Sequence, residues 1–234
     1  MNTNKADVTA IVGKGLVGAI PFVGPLAAEI VGSIIPNQRI DRLESLVRLL
    51  EAKIQDIEKE KVKQRIVSPE YVDLMEDGFW QAARALSEER KDYIASLLKN
   101  GLTDDELKYI EYKRLMFILG ELNDIEILIL KSKSMYPSKK GYKEFWETHK
   151  HSLVLPFVSA AESTQEKTDK ETIHKTYELH LTALGLLKVN FKMWKMSSLP
   201  EFDRETGMIK AENYCITRLG RLLLRSIDQA DREQ

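Results

Sequence analysis

The sequence predicts a mainly α fold with an apolar N-terminal helical hairpin, a multi-helix bundle and a C-terminal winged-helix-like module. Residues 10–36 are almost wholly apolar, yet they contain five glycines and three prolines. Apolar residues then recur at helical spacing, and the end of the chain alternates helix-prone and β-prone stretches. We therefore expect three regions: residues 1–67 with the hairpin and a long amphipathic helix, residues 68–132 as a helical middle, and residues 133–234 as the winged-helix-like region, which can share helices from residues 103–132.

The apolar segment, residues 10–36, does not have the composition of an ordinary core helix. Interior glycine costs a helix about 1 kcal/mol and proline about 3 kcal/mol, so a bent, closely packed hairpin is expected, inside a protein or in a bilayer. Its uncharged part, residues 15–28, would be about 21 Å long as a helix, shorter than a hydrocarbon core of about 30 Å. A single-pass anchor is therefore not expected. A cleaved secretory signal is not expected either, because prolines and Glu29 lie inside the apolar stretch. Membrane or partner contact is assigned to the large apolar side chains Leu16, Ile20, Phe22, Val23, Leu26, Ile30 and Ile34.

Two charges, Lys14 and Glu29, interrupt this apolar segment. If the segment folds back at its central prolines, they reach similar depth and form a buried charge pair; alternatively they lie at the solvent edge, or form a polar face of a pore or of a releasable hairpin. Gly13, Gly15 and Gly18 match the letters G-x-G-x-x-G. A nucleotide site also needs a preceding strand and an unbroken following helix, and the prolines break the latter. No cofactor is predicted.

A long amphipathic helix is predicted after Pro36. Apolar residues alternate there at spacings of three and four, at Ile40, Leu43, Val47, Leu50, Ile54 and Ile57. Lys61 and Gln64 take the next positions of the pattern, so this helix packs in its own bundle or against a coiled-coil partner.

Local signals predict several helix ends in the middle of the chain. Asn100 and Gly101 are typical of a helix C-terminus. Thr103, followed three residues later by Glu106, has the spacing of a capping box for the next helix. Asn123 is predicted to cap a short helix at residues 125–130.

Near the C-terminus, the predicted order is helix, strand, turn, strand and helix, at residues 173–187, 189–195, 197–207, 208–216 and from 217 onward. This order resembles a winged helix, with residues 123–131 and 181–187 as the helix-turn-helix partners. The candidate nucleic-acid contacts are Lys188, Lys192, Lys195, Arg218 and Arg221. The formal net charge is only −1, whereas phosphate binding requires a basic surface, so a protein-interaction or dimerisation surface is favoured here.

No catalytic residue or metal site is predicted. The four histidines are His149, His151, His174 and His180. A metal site would require one of the first two to meet one of the last two across the fold, and surface histidines are favoured instead. Cys215 is the only cysteine, which excludes an intramolecular disulfide and fits a reducing cytoplasm.

Two stretches carry a family resemblance: GLVGAIPFVGPLAAEIVGSIIPNQRIDRL near the N-terminus and ELNDIEILIL in the middle. Together they resemble bacterial helical proteins of the Abi-alpha type, which are associated with abortive infection. The glycine-rich start also resembles the pore-forming N-terminal helices of HeLo-type cell-death domains. These resemblances imply antiviral defence through membrane or protein contact.

The expected function is that of a non-enzymatic bacterial defence or abortive-infection-type protein. Its apolar N-terminal segment would be packed away at rest and would engage a membrane or partner helices when released. Such a protein is expected in the cytoplasm with a membrane-associated state, and it is expected to bind a protein partner or itself. The alternatives are a winged-helix nucleic-acid-binding regulator and an enzyme with a cross-fold histidine site.

Overall fold

The computed structural model describes residues 40–104, 108–138, 140–153, 165–191, 201–202, 207 and 209–230. Across these ranges the protein is mainly α, as predicted, with nine helices and one two-stranded antiparallel sheet. The elements are α1 (Ile40–Ile54), α2 (Lys59–Ile66), α3 (Pro69–Arg84), α4 (Glu88–Thr103), α5 (Tyr109–Glu121), α6 (Asp124–Ser134), α7 (Tyr142–Leu153), α8 (Gln165–Ala183), β1 (Leu187–Phe191), β2 (Ala211–Ile216) and α9 (Arg218–Ser226). The predicted apolar hairpin lies outside the described residues.

The described residues form two compact units. The first contains α1 to α5 together with residues 226–230, and the second contains α6 to α8, both strands and α9 up to Arg225. In the first unit α4 is the central helix, because α1, α2, α3 and α5 all pack against it. Residues 93–98 of α4 are all buried, as expected for a helix with neighbours on every side.

The sequence predicts one long amphipathic helix, but the structure has two, because the helix is interrupted at residues 55–58, between α1 and α2. Leu43, Val47, Leu50 and Ile54 are buried along α1, as the heptad pattern predicts. Val62 and Ile66 of α2 are also buried. On one continuous helix they would lie about 120° and 160° around the axis from Leu50. Because of this interruption, the apolar faces of α1 and α2 can both pack into the same core.

The predicted helix end at Asn100 and Gly101 is wrong, and so is the predicted capping role of Thr103, because α4 continues to Thr103. The Asn100 side chain is buried and its Nδ2 donates to the carbonyl of Ser226 at 2.9 Å. A Cβ on Gly101 would lie 3.0 Å from Leu74. Both residues are therefore explained by long-range packing rather than by helix termination.

The second unit is built around α6, which packs against α7, α8 and β2. The prediction that Asn123 caps this helix is confirmed: its side chain accepts from the amide of Glu126 at 2.9 Å, and the Glu126 carboxylate accepts from the amide of Asn123 at 2.8 Å. This reciprocal capping box fixes the start of α6. Ile127 and Leu130 carry the buried face of the helix.

The C-terminal elements follow the predicted order of helix, strand, strand and helix, with different boundaries. β1 and β2 are antiparallel, with Leu187 opposite Ile216. The predicted helical segment at residues 181–187 contains instead the end of α8, a turn with Gly185 at φ +76°, and the start of β1. Glycine adopts this left-handed conformation without strain, which explains why the helix ends at Ala183.

At Gly220, helix α9 lies close to the backbone of the turn between α8 and β1. A Cβ on Gly220 would lie 2.5 Å from the carbonyl oxygen of Leu186 and 2.8 Å from Cγ1 of Ile216. The Thr217 hydroxyl also links the start of α9 to this turn. It donates to the carbonyl of Gly185 at 2.7 Å and accepts from the amide of Gly220 at 3.0 Å. No side chain fits at position 220 without displacing backbone.

We predict that Gly220→Ala lowers the free energy of unfolding by about 1–3 kcal/mol, the usual cost of overpacking a closed site. The measurement is urea denaturation followed by far-ultraviolet circular dichroism. Arg218→Ala, at an exposed position of the same helix, is the control and should change stability by less than about 0.5 kcal/mol. An unchanged midpoint for Gly220→Ala would contradict the close approach.

Candidate functional site

A cleft of about 350 Å³ opens in the first unit where α2 and α4 end and where α3 and α5 begin. We call it the tyrosine cleft. Its lining combines three phenols with charged side chains, an apolar side chain and small residues: Tyr71, Tyr109, Tyr112, Arg65, Glu70, Asp104, Lys108, Leu74, Ser68 and Gly101.

Helix ends position the walls of the tyrosine cleft. The Ser68 hydroxyl caps α3 by accepting from the amide of Tyr71 at 3.3 Å, and proline follows at the first helical position. The Arg65 guanidinium donates to the carbonyls of Leu102 at 2.9 Å and Asp104 at 3.1 Å. These carbonyls lie at the C-terminal end of α4, where a positive charge satisfies unpaired acceptors and complements the helix dipole.

The phenols of the tyrosine cleft are held by hydrogen bonds within the protein. The Tyr71 hydroxyl donates to the carbonyl of Leu98 at 3.2 Å, and burial raises the pKa of this phenol well above its ordinary value. The Tyr112 hydroxyl donates to the Asp104 carboxylate at 2.9 Å. General acid–base catalysis needs a group that titrates near the working pH. Tyr71 stays protonated, so its hydroxyl acts as a hydrogen-bond donor in the cleft and not as a general base.

A polar seam joins α3 and α5 next to the cleft. The carboxylate of Asp73 accepts from the Tyr109 hydroxyl and from the Lys113 ammonium, and Asp77 lies 3.4 Å from the same ammonium. The hydrogen bond to Asp73 is the main cause of a raised pKa at Lys113, with a smaller contribution from the charge of Asp77. The ammonium stays charged and links the two helices.

A second polar cluster, Ser45, Glu88 and Lys91, joins α1 to α4. Lys91 is only 4% exposed, and its ammonium donates to the Ser45 hydroxyl at 3.1 Å and to the Glu88 carboxylate. The Ser45 hydroxyl in turn donates to Glu88 at 2.8 Å. Hydrogen bonds from Lys91 and then Ser45 lower the pKa of Glu88. A nucleophilic serine needs a neighbouring base ready to take its proton, and a carboxylate with a lowered pKa is a poor one, so the cluster serves as a structural link.

Three of the four histidines have separate partners in the second unit, and His151 is exposed on α7. His180 Nδ1 lies 2.6 Å from the carboxylate of the buried Glu126, whereas the His149 ring packs against Phe145 with 4.9 Å between ring centroids. His174 packs edge-on against Tyr177. Within the described ranges, no group of three or more His, Cys, Asp and Glu side chains could hold a metal ion. The histidine-site hypothesis gains no support there.

Three of the five candidate nucleic-acid contacts are described by the structure. Lys188 is exposed on β1, opposite Cys215. Arg218 is exposed at the first position of α9, and Arg221, three residues later, is half-buried. The other two candidates, Lys192 and Lys195, lie outside the described residues.

The residues assigned to membrane or partner contact lie outside the described residues, as do Lys14 and Glu29 of the predicted charge pair. None of the helices described here has the length and apolar composition needed to cross a membrane.

One surface feature was missed by the sequence reasoning. Trp80 on α3 and Ile110 and Phe117 on α5 are 39%, 64% and 55% exposed, respectively. In the sequence, Ile110 belongs with Leu115, Ile118 and Leu122 to a series of apolar residues at helical spacing, and such a series favours a buried helix face. The spacing of seven residues between Ile110 and Phe117 was the available signal for a second stripe on this helix.

Comparisons of the chain with models of protein families, with curated proteins and with solved structures find no match in any of the three. The resemblance to Abi-alpha-type proteins therefore rests on two stretches of sequence alone, residues 15–43 and 121–130.

We predict that Tyr71→Phe flattens the loss of stability at alkaline pH. In the unfolded chain the phenol ionises near pH 10, whereas in the folded chain it stays protonated to higher pH. The folded state then binds more protons, so stability falls as pH rises above about 10. Urea denaturation at pH 8 and pH 11 measures this loss, and Tyr136→Phe, at an exposed position, is the control. Equal alkaline losses in wild type and Tyr71→Phe would show that this phenol is not responsible.

Proposed function

We propose that this chain is a non-enzymatic bacterial defence protein of the abortive-infection type, whose apolar segment engages a membrane or helices of a partner protein. The observation that carries the proposal is the composition of residues 10–36: Lys14 and Glu29 are its only charges, and five glycines and three prolines interrupt it. Apolar burial contributes about 25 cal/mol per Å². The segment therefore gains several kcal/mol from whichever apolar surroundings cover it.

The described part of the first unit supports this role. Leu43, Leu46 and Leu50 of α1 are buried, and α1 packs against α3 and α4. The described part of this core is thus formed by side chains that follow the apolar segment in the chain. We propose that the segment itself has two resting places, one on the protein and one in a membrane or partner.

The polar clusters also favour a binding role over catalysis. Tyr71 donates to a backbone carbonyl, and Lys91 donates to Ser45 and Glu88. His180 pairs with the buried Glu126. Each of these groups joins neighbouring elements, which supports a stable scaffold that presents the apolar segment. We place this scaffold in the cytoplasm, with membrane association on release, and small residues in the segment would allow close self-association.

We predict that deletion of residues 1–36 abolishes toxicity on expression and dye release from vesicles of phosphatidylethanolamine and phosphatidylglycerol. In the full-length chain, Phe22→Asp should reduce dye release by at least about tenfold, because a charge costs about 2.5 kcal/mol or more in the hydrocarbon core. Ser152→Asp, at an exposed position of α7, is the matched control and should leave dye release unchanged. Persistent leakage after the deletion would overturn the proposal.

The alternative of a winged-helix nucleic-acid-binding regulator is favoured by one observation, the order of α8, two antiparallel strands and α9. In this alternative α8 is the recognition helix, and Lys188 and Arg218 are exposed on the strand and helix that follow it.

If the alternative holds, Lys188→Glu and Arg218→Glu should each weaken duplex DNA binding. The slope of log affinity against log salt should fall by about one unit for each phosphate that the variant no longer neutralises. Fluorescence anisotropy between 50 and 200 mM salt, the range in which phosphate neutralisation dominates affinity, measures both. Lys140→Glu, at an exposed position of the second unit, is the control. Binding that does not depend on salt would exclude this function.

A further inference from the structure

We propose that the exposed face formed by Trp80, Ile110 and Phe117 is the resting site of the chain's own apolar segment, residues 10–36. We call this surface the outer face of α3 and α5. The inference rests on the proposed function, because it names the place where the segment is held before release.

Helices α3 and α5 run parallel, and their contacts fix which residues lie at the same height. Asp73 contacts Lys113 near the start of the pair, and Gln81 Nε2 donates to the carbonyl of Met116 at 2.7 Å further along. Trp80 precedes Gln81 by one residue, and Phe117 follows Met116 by one residue. Trp80 and Phe117 therefore lie at similar heights on neighbouring helices.

Helical geometry places these side chains on one side of the pair, away from the core. Each residue advances about 100° around an α-helix. Trp80 therefore lies about 160° from the buried Ala82, and Phe117 about 160° from the buried Leu119. Ile110 lies seven residues before Phe117, about 20° from it around the axis. All three apolar side chains thus face outward on α3 and α5, and the Arg114 guanidinium lies 5.3 Å from the centre of the Phe117 ring.

The exposure of these three apolar side chains favours a binding partner that covers them. Single exposed apolar residues are common on soluble proteins, whereas a group on one face marks an interaction surface.

The path of the chain favours the apolar segment as the occupant. The Arg42 guanidinium donates to the carbonyl of Ala83 at 2.9 Å, so α1 begins next to the end of α3. Trp80 lies three residues before Ala83, about 4.5 Å along the helix axis. Three residues, 37–39, connect the segment to α1 and span about 10 Å when extended. The segment therefore reaches the outer face without a long linker.

Tethering also favours this occupant over a second copy of the chain. A segment joined by a short linker has an effective concentration in the millimolar range at a site that it can reach. A second copy at micromolar concentration would have to bind far more tightly to compete.

The test is cysteine labelling of the full-length chain in a Cys215→Ala background. Arg114→Cys places the probe between Ile110 and Phe117 on the exposed side of α5, and Glu89→Cys is a matched exposed position on α4. If the segment occupies the outer face nine-tenths of the time, maleimide should label position 114 about tenfold more slowly than position 89. Adding Trp80→Glu and Phe117→Glu should bring the two rates together and increase vesicle dye release. Circular dichroism checks that this variant is folded.

The outcomes separate the two proposals. Equal labelling rates at positions 114 and 89 would overturn the resting site, even if Phe22→Asp abolished dye release and so supported the proposed function. Slow labelling that is relieved by Trp80→Glu and Phe117→Glu would support the resting site, even if no variant released dye. Slow labelling that speeds up on dilution would identify a second copy as the occupant and overturn the proposal.

Discussion

The structure of the first unit depends on the enclosure of α4 by four other helices. Residues 93–98 are buried in succession, so every neighbour must present an apolar face to this helix. Polar side chains then fix the neighbours: Tyr71 bonds to the carbonyl of Leu98 on α4, and Arg90 of α4 bonds to the carbonyl of Leu119 on α5. The tyrosine cleft, the polar seam and the outer face all follow from the positions that α4 imposes on α3 and α5.

Features of the fold that arise from short-range interactions could be predicted from the sequence. The helical class follows from periodicity, and the cap at Asn123 needs only a partner three residues away. The end of α4 could not be predicted in this way. Asn100 bonds to Ser226, 126 residues later, and Gly101 is explained by its distance to Leu74. Asn100 and Gly101 are residue types that commonly end helices, but in this protein they make tertiary contacts. Helix propensity contains no information about such contacts.

The candidate sites show the same limit. The tyrosine cleft joins side chains between positions 65 and 112 that no motif connects, because only the meeting of four helix ends brings them together. Apolar spacing gave Ile110 the pattern of a core residue, yet it is 64% exposed. Periodicity identifies an apolar stripe but does not tell whether a partner covers it. The apolar segment is evident from composition alone, and its five glycines and three prolines are the strongest support for the proposed function.

The hydrogen bond between Arg42 and Ala83 has a consequence for any membrane-bound state. It ties the first turn of α1 to α3, and only residues 37–39 separate that turn from the segment. If the segment enters a bilayer, a tether of about 10 Å holds the helical body directly against the lipid headgroups. Insertion would thus change both the location and the orientation of the whole first unit, so that one defined side of it meets the membrane surface.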